Sequence, residues 1–157
     1  MEAVISRVQA YLDDINSGLK VIELDEDTST SELAAKALGV EVGQIAKSIV
    51  LKSKKGFFMV VAAGDVRLDA KKLKDLVGGK VRMANPEEVL KATGYPIGGV
   101  CPFLLPNGLP IYADVSLQRY DVVYAAAGTA NSALPITYEQ LLKITGASPC
   151  DVADEGA

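Results

Sequence analysis

Apolar residues recur at helical spacing through Val4, Ile5, Val8, Tyr11, Leu12 and Ile15 and give way to Asn16-Ser17-Gly18. That is the pattern of a surface helix closed by glycine. Residues 20–24 alternate between polar and apolar and predict a short strand. Ser29-Thr30-Ser31-Glu32 is a capping box ahead of Leu33-Ala34-Ala35-Lys36-Ala37-Leu38, and Gly39 stands where a left-handed terminal residue belongs. The apolar runs 44–51 and 56–62 flank the polar Ser53-Lys54-Lys55-Gly56, as the two arms of a tight hairpin would. A helix is predicted over 69–76, stopped by Gly78-Gly79, and a short strand over 80–83. Asn85-Pro86-Glu87-Glu88 then combines an N-cap, a proline at the first helical position and acids in the first turn of a helix ending at Gly94. Residues 109–113 and 121–126 read as strands, and Thr137-Tyr138-Glu139-Gln140 caps a last helix that closes at Gly146. The acidic tail after Pro149 is expected to fray.

Strands joined by a hairpin as well as by helices predict an α/β fold in which a mixed, largely antiparallel sheet is surrounded by helices. No linker, repeat or low-complexity run interrupts the 157 residues, so one domain over 1–157 is expected. The chain is 49% hydrophobic and 23% charged, enough for an ordinary core. Its longest apolar run, 57–63, is far short of the roughly 20 residues of a membrane helix, and no leader peptide or membrane association is expected.

The charge balance is uneven. Residues 1–46 carry a net −6, residues 47–91 a net +6 and residues 92–157 a net −4. The cationic middle segment, with Lys52, Lys54, Lys55, Arg67, Lys71, Lys72 and Lys74, is either a phosphate-facing patch or a set of solvated faces. The chain contains no histidine and no tryptophan. This excludes Ser-His-Asp and Cys-His nucleophiles and His-ligated zinc. Two cysteines, 101 and 150, make no metal spacing and suit a reducing cytoplasm. Neither a metal nor a cofactor is expected.

Chemistry then falls to lysine, carboxylates, hydroxyls, thiols or backbone amides. Lys47 interrupts an apolar strand; it either points to a solvated face or reaches into a cleft, where its ammonium would hold an anionic or carbonyl oxygen. Gly98-Gly99 either connects two elements or presents bare backbone amides as an oxyanion site. Cys101 is a nucleophile only if a cation or helix terminus lowers its pKa, and is otherwise a small buried residue beside Pro102. Asp114 ends an apolar strand as a turn residue or cap, or orients Lys47 or a water.

Ile45-Ala46-Lys47-Ser48-Ile49-Val50, Thr93-Gly94-Tyr95-Pro96-Ile97-Gly98-Gly99-Val100-Cys101-Pro102, Asp114 and Ala127-Gly128-Thr129 together resemble the YbaK/ProX family. These are free-standing relatives of the editing domain inserted in bacterial prolyl-tRNA synthetases, and the similarity runs from about residue 21 to 146. The resemblance implies an α/β fold with a partly barrel-like sheet. It also implies hydrolysis of the ester between a wrong amino acid and the terminal adenosine of tRNA. Lys47 then matches the family's essential lysine, Gly98 and Gly99 the backbone that binds the aminoacyl carbonyl, and Asp114 its usual aspartate. Thr30, Val100, Cys101, Pro102, Gly128 and Thr129 are placed to line the substrate site. The implied partners are the acceptor end of mischarged tRNA and prolyl-tRNA synthetase, with the protein a monomer or homodimer.

Two loops depart from the family pattern. Ala127-Gly128-Thr129-Ala130-Asn131-Ser132 stands where many members carry a Gly-Gly-Lys/Arg-Arg-Gly type sequence, and several relatives carry a tyrosine near Thr30. Smaller, neutral groups in both loops suit a sieve for Ala, Ser or Cys. Three functions follow: a deacylase acting in trans on misacylated tRNA for proline, a binding module for the tRNA end that has lost turnover, and a Cys101 hydrolase of small thioesters or esters.

Overall fold

The computed structural model describes residues 2–106 and 109–154. Five helices, α1 (Glu2–Asp14), α2 (Ser31–Leu38), α3 (Ala70–Val77), α4 (Pro86–Thr93) and α5 (Tyr138–Thr145), surround one sheet. The eight strands are β1 (Ile22–Glu23), β2 (Ile45–Ser53), β3 (Gly56–Ala63), β4 (Arg82–Met83), β5 (Ile111–Asp114), β6 (Val123–Ala125), β7 (Ser132–Ile136) and β8 (Ser148–Cys150). They run in the order β1-β7-β6-β2-β3-β5-β8, with β4 added beside β2. Pairings are antiparallel for β1–β7, β2–β3, β2–β4 and β6–β7 and parallel for β2–β6, β3–β5 and β5–β8, so the sheet is mixed.

The helix ends follow their local chemistry. Side chains of Thr30, Asp69, Asn85 and Thr137 accept from backbone N–H groups of the first turns of α2, α3, α4 and α5. Gly39, Gly78, Gly94 and Gly146 close the same helices at positive φ, the conformation glycine adopts without steric cost.

Both sheet faces are covered, which is why β3 is an unbroken apolar run. Ala46, Val50, Met59, Val61 and Ala63 pack with Val8 and Leu12 of α1, Val89 of α4 and Leu141 of α5. The alternate residues Leu51, Phe58, Val60 and Ala62 pack with Leu73 of α3 and with Cys150 and Val152. Ile45 packs with Ala34 and Ala35 of α2. Each fully buried Leu or Val contributes about 1.5–3 kcal/mol.

Two expectations change. Residues 148–154 do not fray: β8 pairs with β5, Val152 is buried, and the Asp154 N–H donates to the Arg67 carbonyl at 2.7 Å. The last three residues of the tail lie outside the described residues. The run 132–136 forms β7, so the expected loop at 128–133 ends where that strand begins. Among the described residues no helix is long and apolar enough to cross a membrane.

Candidate functional site

The two edges of β2 are treated differently by the fold. Along one edge β3 pairs with it from Ala46 to Ser53. Along the other, β6 takes Ile45 and Ala46, β4 takes Leu51 and Lys52, and among the described residues no strand takes those between. A cavity of about 380 Å³ opens at this interruption. Lys47, Ser48, Ile49 and Val50 line it from β2, Thr30 and Glu32 from the start of α2, and Ile97, Gly98 and Val100 from the loop after α4. Its apolar lining mixes single methyl groups, Ala34, Ala46, Ala84, Ala125, Ala126 and Ala133, with the larger Leu38, Ile45, Met83, Val89 and Tyr124.

Lys47, Thr30, Gly98 and Val100 therefore share one cavity. Lys47 is half-buried and has no ion pair or side-chain hydrogen bond among the described residues. Its charge is felt by Asp65: the Arg119 guanidinium, hydrogen-bonded to Asp65, holds that carboxyl below its usual range, with a smaller contribution from Lys47. The Arg119–Asp65 pair is bidentate, with Nη1 to Oδ2 at 3.2 Å and Nη2 to Oδ1 at 2.5 Å. Gly64, beside Asp65, forms part of the cavity wall. It packs so closely that a β-carbon there would lie 2.6 Å from the Val42 carbonyl oxygen.

The glycine pair divides its work. The Gly99 N–H donates back to the Pro96 carbonyl at 3.0 Å, and Gly98, with φ +96°, is the third residue of that turn. Positive φ at this position is what a type II turn requires. Gly98 lines the cavity, whereas Gly99 is pressed against the neighbouring loop: a β-carbon on it would sit 2.7 Å from the carbonyl carbon and oxygen of Gly128. Gly99 thus fixes the position of Gly98.

Cys101, Pro102, Gly128 and Thr129 are buried behind this contact and are not on the cavity wall. Burial pushes the Cys101 thiol up to about 11, which leaves it protonated at neutral pH. The Thr129 hydroxyl donates to Asn131 Oδ1 at 2.8 Å. Asp114 is also off the cavity wall. It is fully buried, with Oδ2 accepting from the Ser116 N–H at 3.0 Å and Oδ1 from the Val152 N–H at 2.7 Å. Asp65, Arg119 and the alanine wall were not singled out from sequence. The signal for the wall was present in the run Ala125-Ala126-Ala127, but what faces that run depends on β2, about 80 residues earlier.

The site thus offers a cation, backbone amides and short hydroxyls around a small, partly apolar chamber. The sequence profile of the aminoacyl-tRNA editing domain family matches residues 25–144, and the chain belongs to that family. It is 39% identical over 138 residues to the uncharacterized protein YwhH of Bacillus subtilis (strain 168), covering 87% of this chain and 88% of that one. It is 32% identical over 122 residues to EbsC of Enterococcus faecalis (strain ATCC 700802 / V583), a candidate Cys-tRNA(Pro)/Cys-tRNA(Cys) deacylase, covering 76% and 74% of the two chains. A crystal structure described as a candidate trans-editing enzyme for prolyl-tRNA synthetase superposes with a TM-score of 0.89 at 43% identity, over 96% of this chain and 97% of that one.

Proposed function

We propose that this protein is an aminoacyl-tRNA deacylase acting in trans, which hydrolyses the ester of a small mischarged amino acid, of the Ala, Cys or Ser class, on tRNA for proline. The observation that carries this reading is the placement of Lys47 and Gly98 on one cavity of about 380 Å³. The confined volume leaves room for a short side chain beside the ester and excludes bulk by sterics. The Lys47 ammonium holds a phosphate or carbonyl oxygen, and the Gly98 amide stabilises the oxyanion as it forms. Water attacks the carbonyl carbon, the carbon–oxygen ester bond breaks, one proton of the water passes to the departing ribose oxygen and the other to solvent, and the amino acid leaves as its carboxylate. Because an aminoacyl ester is already activated, positioning and electrostatics can supply the acceleration. Thr30 and Val100 belong to the pocket that sorts the amino acid. Asp114, Gly99 and Gly128 act by holding the frame, and the reaction takes place in the cytoplasm, where tRNA is charged.

The test is to incubate the protein with tRNA for proline carrying Ala, Cys, Ser or Thr in turn and to follow ester loss, with Lys47→Ala as the control. Release of one or more small amino acids that disappears in Lys47→Ala is the expected result. Tight binding of the charged tRNA without release from any of the four would reassign the chain as a binding module for the tRNA end.

A further inference from the structure

The interruption along β2 leaves specific peptide groups without partners. Val50 and Met59 are Cα partners across the hairpin. The Met59 N–H donates outward to the Pro110 carbonyl at 2.9 Å, and the Val50 carbonyl accepts outward from the Ala84 N–H at 3.1 Å. The Val50–Met59 pair is therefore a non-hydrogen-bonded one. In an antiparallel ladder such pairs recur every second residue, so the Ser48–Val61 pair is of the same kind. The Ser48 N–H and carbonyl hence point to the same outer edge as the Val50 carbonyl. There β6 has ended at Ala46 and β4 begins only at Leu51. No described residue hydrogen-bonds either group.

The cavity looks onto this edge. Six consecutive strand residues, Ile45 to Val50, line it, although their side chains alternate between the two sheet faces. A cavity meets both sets only if it runs along the side of the strand. The opening from Ala46 to Val50 spans roughly 13 Å at about 3.3 Å per residue, ample length for one residue of substrate to lie along it.

We propose that this open edge binds the aminoacyl group of the ester as if it were one residue of an antiparallel neighbour. The Ser48 carbonyl accepts from the substrate's α-ammonium, and the Ser48 N–H donates to its ester carbonyl. This inference rests on the deacylase reading and names a recognition element within that site. The two bonds place the carbonyl carbon beside Lys47, and the Ser48 N–H strengthens its bond as that carbonyl becomes an oxyanion, adding a second donor to Gly98. The pairing also sets a substrate class. A free α-ammonium gives Ser48 a charged donor, whereas an N-blocked ester, formylated or peptidyl, loses the charge and must thread its acyl group between β6 and β4. The protein therefore cleaves α-aminoacyl esters and spares N-acylated ones.

The experiment uses the isotopically labelled full chain and adenosine analogues in which an alanyl group is joined through an amide in place of the ester. On adding the analogue with a free α-amino group, the Ser48 amide proton is expected to shift downfield and exchange more slowly with solvent. The N-acetylated analogue is expected to bind roughly ten- to a hundred-fold more weakly, the range for loss of a charge-assisted hydrogen bond. Ser48→Pro, which deletes the N–H at a position where the ladder does not use it, is expected to lower deacylation at least tenfold. If that variant does not fold, the amide signal decides. Shifts at Lys47 and Gly98 with an unmoved Ser48 amide would overturn this inference and leave the deacylase reading intact. Equal hydrolysis of free and N-acetylated aminoacyl-tRNA would do the same. Absence of both analogue binding and ester loss would overturn the two together.

Discussion

Lys47 and Asp114 are charged residues on neighbouring parts of one sheet, and their surroundings are opposite. Asp114 sits at the end of β5 with no exposure to solvent, and both of its oxygens accept from backbone N–H groups, one of them from the C-terminal segment. Lys47 lies on β2 with its ammonium unpaired at the rim of a cavity. A buried polar group whose bonds are all made by the protein holds the protein together; one that stays unpaired beside a cavity is available to a ligand. The difference sets opposite expectations for the two residues.

The comparison is tested most severely at Lys47. Lys47→Ala is expected to lower ester hydrolysis by at least about a hundred-fold, the loss typical of removing one electrostatic contact to an oxyanion. Its denaturation midpoint should stay within about 0.5 kcal/mol of the parent. Asp114→Ala should show the reverse. It orphans the buried Val152 N–H and the partly buried Ser116 N–H, at about 1–3 kcal/mol for the buried one, and urea denaturation should register a loss of about 2–3 kcal/mol. Activity per folded molecule should stay within a few-fold; a collapse at unchanged stability would place Asp114 in the chemistry after all.

A smaller effect is expected at the exposed Arg82–Glu88 pair, where both guanidinium nitrogens reach the carboxylate at 2.8 Å. Arg82, followed by the Asn85 backbone, holds the Glu88 carboxyl down at about 2, against an ordinary 4.5. A depressed carboxyl stabilises the fold in full above its unfolded value and loses that contribution as it protonates. Glu88→Gln should therefore narrow the stability difference between neutral pH and pH 2–4.5, as read by acid titration of the denaturation midpoint, and screening by salt should shrink the effect. The smallest effect is expected at Cys101. With its thiol buried and pushed up to about 11, iodoacetamide at pH 7.5 should leave both labelling and deacylation unchanged in the native protein.

Sequence disclosed the local structure well, because its determinants are local. Thr30 with Gly39, Asn85 with Gly94 and Thr137 with Gly146 bracket their helices as written in the chain. The polar Lys54-Lys55 between two apolar runs marks the β2–β3 turn in the same way. What escaped depends on partners distant in sequence. The run 132–136 contains Pro135 and follows a small polar loop, so it carries a weak strand signal; it is a strand because β6 and β1 flank it. Residues 148–154 read as a loose acidic tail, and they are ordered because β5 pairs with β8 and Asp114 receives the Val152 N–H. Lys47 stood out as a charge within an apolar strand, and its residue type could not show which edge of that strand would be left open. The glycines at 98, 99 and 128 stood out too, but their division into cavity wall and packing contact follows from how two loops meet.

The alanines of the cavity wall have a bearing on how this pocket can diversify. Ala46, Ala84, Ala125, Ala126 and Ala133 already carry the smallest side chain short of glycine. Nearly every mutation among them narrows the chamber, and glycine in a strand weakens the sheet in exchange for one methyl of space. Enlargement of the chamber must therefore come from its longer residues, such as Leu38, Ile49, Met83 or Ile97, whereas a tighter pocket, or a filled and inactive one, lies a single codon change away at any of the alanines.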